Sequence, residues 1–352
     1  MQLPDYFLHH FEVDNFRCFD HIEVDGLTNV NLFVGKNSAG KSTLLEGILY
    51  AYYQIIVFGN SRVEYQDKSM DDLRLFFHNI DIKNNVRFEA SFYDGEKRTL
   101  EITANPYGMT EMFGDKKSGE IKDVRCDCKI VRKHETPFSY TVKWSNDRFV
   151  IDDRQGIYPI PNEIRSRHPY YLSPNIIDRH EGFVNEYRAI VKRKEKAILL
   201  KELQSFDSRV KNVDEIEDIC FDVEGVNEYL PLNFMGGGFR RYFSILVPML
   251  SHNSECVFID EIENGLHYSN LSKLWNALIQ FSVRNKIQLF LTTHSLETME
   301  SLKNVLEDEE MAEYRDKVKV FKVAKTEKKG YQTYGYGFNE FQTALNSLIE
   351  MR

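Results

Sequence analysis

A chain of 352 residues is long enough to bury a large core, as one elaborate domain or two smaller ones. Its net charge of −9 excludes a surface coated for nucleic acid, while a local basic patch stays open. The five cysteines make no disulfide framework, no secretory pattern opens the chain, and the longest apolar run, Leu49–Phe58, contains Gln54 and stops at Gly59. A reducing cytoplasm with no membrane span is the expected setting.

Residues 7–34 alternate like three strands, Phe7–Phe16, His21–Val24 and Val30–Val34. The third runs into Gly35-Lys36-Asn37-Ser38-Ala39-Gly40-Lys41-Ser42, the phosphate-binding pattern G-x-x-x-x-G-K-[ST], followed by Thr43 and an apolar helical repeat. Gly35 and Gly40 let the backbone curl so that successive N–H groups point at phosphate oxygens. The helix N-terminus adds partial positive charge to the same anion. Lys41 has the reach for the β- and γ-phosphates and the Ser42 hydroxyl suits Mg²⁺, so ATP with Mg²⁺ is the expected ligand. The helix is expected from Lys41 to about Phe58, with a short helical candidate at Met70–Phe77.

From Val86 to about Ile151 the period becomes two, with an Asp94-Gly95 hairpin turn between Val86–Ala90 and Thr99–Ile102. Val124–Val131 and Tyr140–Trp144 continue the pattern, with a turn near Ser145–Asp147. Cys126 and Cys128 fall on one strand face, which reads as two core cysteines and not as half of a zinc site. Residues Asp178–Leu203 read as helix, with Arg188, Lys192 and Lys196 forming a basic stripe that is either a solvated face or a contact for nucleic acid or a partner. Strand-like pieces follow at Ile219–Val223 and Glu228–Leu232.

Gly236-Gly237-Gly238 precedes an amphipathic helix and presents a second helix N-terminus; a tight turn and cap would use the same glycines. Cys256–Ile259 is a buried strand that ends in Asp260-Glu261. In a parallel sheet both acids emerge beyond the carboxyl end of the strand, where ligands bind. Asp260 would then serve Mg²⁺ and Glu261 would polarise the attacking water. One strand-helix unit later, Gln288–Thr292 leads to His294, placed to sense or orient the γ-phosphate. The alternation of strand and helix from 256 to 323, then Tyr331–Tyr336 and a last helix Phe341–Ile349, implies a mostly parallel α/β sheet.

These pieces, in this order, resemble the ATP-binding-cassette type of ATPase head found in transporters, SMC proteins, RecF and the OLD-like ATPases. Met235–Arg241 and Asp260-Glu261-Ile262-Glu263-Asn264-Gly265-Leu266-His267 resemble the OLD-like branch most, and Asn15-Phe16-Arg17-Cys18-Phe19 fits it as well. The resemblance covers roughly residues 7–60 and 230–340, and the stretch between only in outline. It implies a P-loop NTPase with an inserted antiparallel β lobe and a short helical arm: 1–60 and 230–352 as nucleotide-binding core, 61–160 as the lobe, 161–229 as arm and return strands. It implies head-to-head dimers in which Gly236, Gly237 and Gly238 of one copy cap ATP on the P-loop of the other, with Arg17 near the nucleotide. Gly236 stands where the family's signature usually has serine, so slow turnover is expected. The family's glutamine loop is assigned no residue. The OLD-like nucleases append a metal-binding TOPRIM domain after the head, and Val318–Arg352 is too little to hold one. A separate nuclease or effector partner in an anti-phage or toxin-like system is therefore expected, with a DNA-binding RecF-like repair ATPase as the alternative and a transporter motor as the weakest reading.

Overall fold

The computed structural model describes residues 3–54, 75–107, 123–132, 137–145, 148–152, 170–174, 180–251 and 255–347. The first elements are β1 (Leu8–Phe16), β2 (Phe19–Asp25), β3 (Val30–Val34) and α1 (Lys41–Tyr53). Five strands follow: β4 (Val86–Phe92), β5 (Lys97–Tyr107), β6 (Asp123–Arg132), β7 (Phe138–Ser145) and β8 (Arg148–Asp152). Then come β9 (Tyr170–Leu172), α2 (His180–Lys192), α3 (Lys196–Phe206), β10 (Val210–Glu215), β11 (Ile219–Val223) and β12 (Leu230–Pro231). The chain continues with α4 (Gly237–Ser251), β13 (Cys256–Ile259), α5 (Leu271–Asn285), β14 (Gln288–Thr292), α6 (Leu296–Glu307), β15 (Val318–Thr326), β16 (Gly330–Tyr336) and α7 (Phe338–Asn346). Two units result. One comprises 1–27, 38–168 and 323–333, the other 28–37, 169–322 and 334–352.

In the first unit seven strands form one antiparallel sheet in the order β2-β1-β4-β5-β6-β7-β8. The pairing sets Phe11 opposite Val24 and Ala90, and Val13 opposite Ile22 and Phe88, so one face is continuously apolar. Residues 8–25, expected with the nucleotide-binding core, therefore pair with the strands of 86–152. Their alternation is that of a half-buried antiparallel strand, and it carries no information about which strand is the neighbour.

The P-loop helix α1 lies on the buried face of this sheet. Gly47 permits the approach, since a Cβ there would sit 3.1 Å from Phe11 Cζ. Tyr50, Phe16, Phe76 and Phe88 pack edge-on or tilted around it, with ring centroids 5.0–6.1 Å apart. The helix stops at Tyr53, short of Phe58, because Gln54 turns left-handed and its buried side chain bonds sideways: Oε1 accepts from Arg132 Nε at 2.7 Å and Nε2 donates to Thr99 O at 3.2 Å. Residues 55–58, most of the Met70–Phe77 candidate, the turn residues 146–147 and the end of the last helix at 348–349 lie outside the described residues. Cys126 and Cys128 are buried core thiols; burial pushes Cys126 up to about 12 and raises Cys128 well above the usual thiol range.

The second unit is built on a parallel sheet in the order β15-β3-β14-β13-β9, to which β15 contributes Val318–Lys322. Every residue of β3, β13 and β14 is buried, as befits strands covered on both faces. Phe258 and Phe290, paired in register, stack with centroids 4.9 Å apart. Pro248 interrupts the hydrogen bonds of α4 and frees the Ser244 carbonyl, which accepts from the Tyr170 hydroxyl at 3.3 Å.

The helical arm is two helices. They break at Lys194 (φ +63), and Arg193 at the break donates to the carbonyls of Leu250 and Ser251, capping the end of α4. Phe183, Tyr187, Ile190, Leu199 and Leu203 are buried in the core of the second unit, so the segment packs as part of it. Two of the three stripe cations are matched: Arg188 forks onto Glu215 and Lys196 pairs with Asp214, both on β10. Among the described residues, no helix is long and apolar enough to cross a membrane.

Candidate active site

The P-loop begins where β3 ends. Gly35 has φ +149, Ser38 φ +64 and Gly40 φ +89, an alternation of hand that turns consecutive amides to one side. Lys36, Asn37 and Ser38 are exposed, Ala39, Gly40, Ser42 and Thr43 are partly covered, and Lys41 is buried at the first helical position. Gly40 is the N-cap and contributes no side-chain acceptor to the first-turn amides, the arrangement in which a bound anion does so. Gly35, Lys36 and Asn37 belong to the second unit; Ser38 onward belongs to the first.

Within the first unit, Gly40 is held tightly. A Cβ there would lie 2.7 Å from Phe19 Cε1 and 3.2 Å from Cys18 Sγ. Cys18 in turn shares hydrogen bonds with the side chains of Thr43 and Tyr331, and burial pushes its thiol up in spite of them. Gly40→Ala is expected to lower stability by roughly 1–3 kcal/mol, from the left-handed backbone and the collision with Phe19 together, and thermal melting checks it. Arg17 is seated against the helix of the P-loop: its Nη1 pairs with the buried Glu46 at 2.6 Å and its guanidinium lies over the rings of Phe16 and Phe76.

Within the second unit the expected acids come together. Asp260 is fully buried, and its carboxylate accepts from the Thr292 hydroxyl. The same hydroxyl oxygen accepts from the Glu261 N–H at 2.8 Å, so one threonine on β14 fixes both acids that follow β13. Glu261 has φ +50, left-handed backbone in a residue with a side chain, and strain of that kind gathers at functional sites. His294 follows β14, with Nδ1 3.3 Å from Glu263 Oε1 and its N–H donating to the same oxygen at 3.3 Å.

The glycine turn belongs to this group. A Cβ on Gly238 would lie 3.0 Å from the carbonyl of Gly265, so the turn abuts the segment that follows Glu261. Around Gly236 and Gly237 a Cβ would meet none of the described residues within 4 Å. Phe234 and Tyr268, flanking the two segments, are exposed. Arg241, the third residue after Gly238, is buried and bonds three carbonyls: Ser173 at 2.9 Å, Asp260 at 3.0 Å and Glu261 at 3.3 Å. Burial pulls its guanidinium down to about 10, against Asp260 and Glu263, so it stays charged at neutral pH. Sequence reasoning quoted Thr292 and Arg241 within motifs and gave them no role; for Glu263 the family resemblance implied only a place along the dimer seam, and not the contact with His294. The second arginine after the glycines, on the apolar side of an amphipathic helix, was the signal for Arg241.

A glycine-rich turn between a buried strand and a helix, with paired acids at the end of a parallel strand, defines a P-loop NTPase of the α/β class. The AAA ATPase domain model matches residues 7–150 and 160–299, and the chain belongs to that family. It is an ATPase. It is similar to a Helicobacter pylori ATP/GTP phosphatase, with 22% identity over 338 residues, 85% of this chain and 88% of that one. It also resembles the DNA replication and repair protein RecF of Lactobacillus acidophilus, 48% identical over 44 residues, 12% of each chain. Among solved structures it is similar to the SMC head domain of Thermotoga maritima (TM-score 0.43, 14% identity, 94% of this chain and 98% of that one). The Pyrococcus furiosus Smc head domain bound to the C-terminal domain of ScpA gives TM-score 0.49 at 11% identity, over 97% and 99% of the two chains.

Proposed function

We propose that two copies of this chain pair head to head around ATP and Mg²⁺, and that the paired state is the signal. The observation that supports it is the open turn at Gly236 and Gly237: backbone at a helix N-terminus, uncovered by any of the described residues, between the exposed Phe234 and Tyr268. In the pair, Gly236–Gly238 of one copy face the triphosphate on Lys41 of the other. The Ser42 hydroxyl and the Asp260 carboxylate are oxygen donors, the set a hard cation takes, and they would hold Mg²⁺. Bound there, the ion would supply charge neutralisation on the phosphates. Lys41 binds the β- and γ-phosphates, Glu261 takes the proton of the attacking water, and His294, steadied by Glu263, contacts the γ-phosphate.

The OLD-like form of the segments 235–241 and 260–267 supports a role as the ATPase subunit of a bacterial defence or toxin-like system, with destructive chemistry in a separate nuclease or effector. Affinity purification from its host, with Mg-ATP present, is expected to recover that partner, while pure chain leaves DNA intact. DNA cleavage that survives Lys41→Ala would end this division of labour. The RecF match favours a second reading, a DNA-binding repair ATPase. ATPase stimulation by DNA, with binding that falls steeply with salt, would support it over the first.

A further inference from the structure

Glu261 is a glutamate in left-handed backbone, and the turn that carries it is fixed from several sides. Its N–H donates to Thr292 Oγ1 at 2.8 Å, the Ile262 N–H donates to Thr292 O at 3.0 Å, and the Asn264 N–H donates to Glu261 O at 3.0 Å. These contacts come from β14 and from the turn itself. The Asp260 N–H also donates to Leu172 O of β9 at 2.8 Å, and a further contact comes from the glycine-motif helix: Arg241 Nη2 donates to the carbonyls of both Asp260 and Glu261, while Nη1 donates to Ser173 O beyond β9. A guanidinium that is 1% exposed carries a desolvation cost that an apolar side chain of the same volume would avoid. What only arginine supplies is a rigid fork that serves three carbonyls at once.

We propose that Arg241 is a positioning residue for hydrolysis: it clamps the Asp260–Glu261 carbonyls and so holds the left-handed turn from which the Glu261 carboxylate reaches the attacking water. The inference rests on the reading of Glu261 as the water-activating group. Lysine at 241 keeps the charge but offers one compact donor head, and glutamine removes the charge.

The test compares Arg241→Lys, Arg241→Gln and Glu261→Gln by steady-state ATP hydrolysis, binding of a fluorescent ATP analogue and thermal melting. Arg241→Lys is expected to lower kcat on the order of tenfold to a hundredfold, and Arg241→Gln further, because a small displacement of a reacting group has effects of that size. KM and nucleotide affinity are expected to stay within about threefold, since the clamp acts after binding. Parent kcat in both variants overturns the proposal, as does a fall in kcat matched by proportional losses in nucleotide affinity and melting temperature. Where Arg241→Gln does not fold, Arg241→Lys decides by the same split. Parent turnover in Glu261→Gln would sink the reading beneath the proposal; an inert Glu261→Gln beside unaffected Arg241 variants would sink the positioning role alone.

Discussion

Glu261→Gln is expected to bind ATP as the parent does and to hydrolyse it on the order of a hundredfold to ten-thousandfold more slowly, the range for loss of a general base. The substitution is close to isosteric and keeps the backbone contacts of the turn, whose donors and acceptors are main-chain groups, Thr292 and Arg241. The left-handed φ of +50 is equally costly for glutamine, so fold stability is expected to change little. With hydrolysis stopped, ATP should accumulate in the paired state, and gel filtration of Glu261→Gln with Mg-ATP is expected to show a dimer that ADP does not produce. Parent-rate turnover would show that another group activates the water.

Lys41→Ala is expected to fail at the preceding step. Lys41 occupies the first position of α1, where the helix dipole disfavours a cation, and it is buried there. A residue placed against its local electrostatics is explained by what it binds, and alanine is the better helix former. The melting temperature without nucleotide should therefore hold, while the rise that ATP produces disappears. A loss of at least about a hundredfold in ATP affinity is expected, near 2.7 kcal/mol. Isothermal titration measures it; an ATP affinity like the parent's would remove Lys41 from the site.

The two acids and the P-loop were legible in the sequence because their chemistry is local: torsions, charges and strand ends are set within eight residues. The parallel sheet was legible from the alternation of strand and helix from 256 to 323, and its central strands Val30–Val34, Cys256–Ile259 and Gln288–Thr292 are buried along their whole length. Pairing partners were not. Residues 8–25 alternate as any half-buried strand does, and only register with β4 reveals their sheet. The break at Lys194 has no proline or glycine to announce it; it is stabilised by Arg193 reaching carbonyls 57 and 58 residues away. The contacts of Thr292 with Asp260, of Glu263 with His294 and of Arg241 with Ser173 were hidden for the same reason, since each joins residues distant in sequence.

The most direct test of the paired site mixes two defective variants. Gly237→Glu leaves room for its side chain and places an acid where a helix N-terminus favours one, so the chain should fold, yet its charge would face the triphosphate of a second copy. Lys41→Ala and Gly237→Glu should each be inactive alone. Mixed in equal amounts, they form mixed dimers in which one of the two sites has both an intact lysine and an intact glycine turn. Hydrolysis is then expected to return to about a quarter of the parent rate, from random two-fold pairing. A mixture as inactive as its components, with subunit exchange confirmed, would contradict a site shared between two copies.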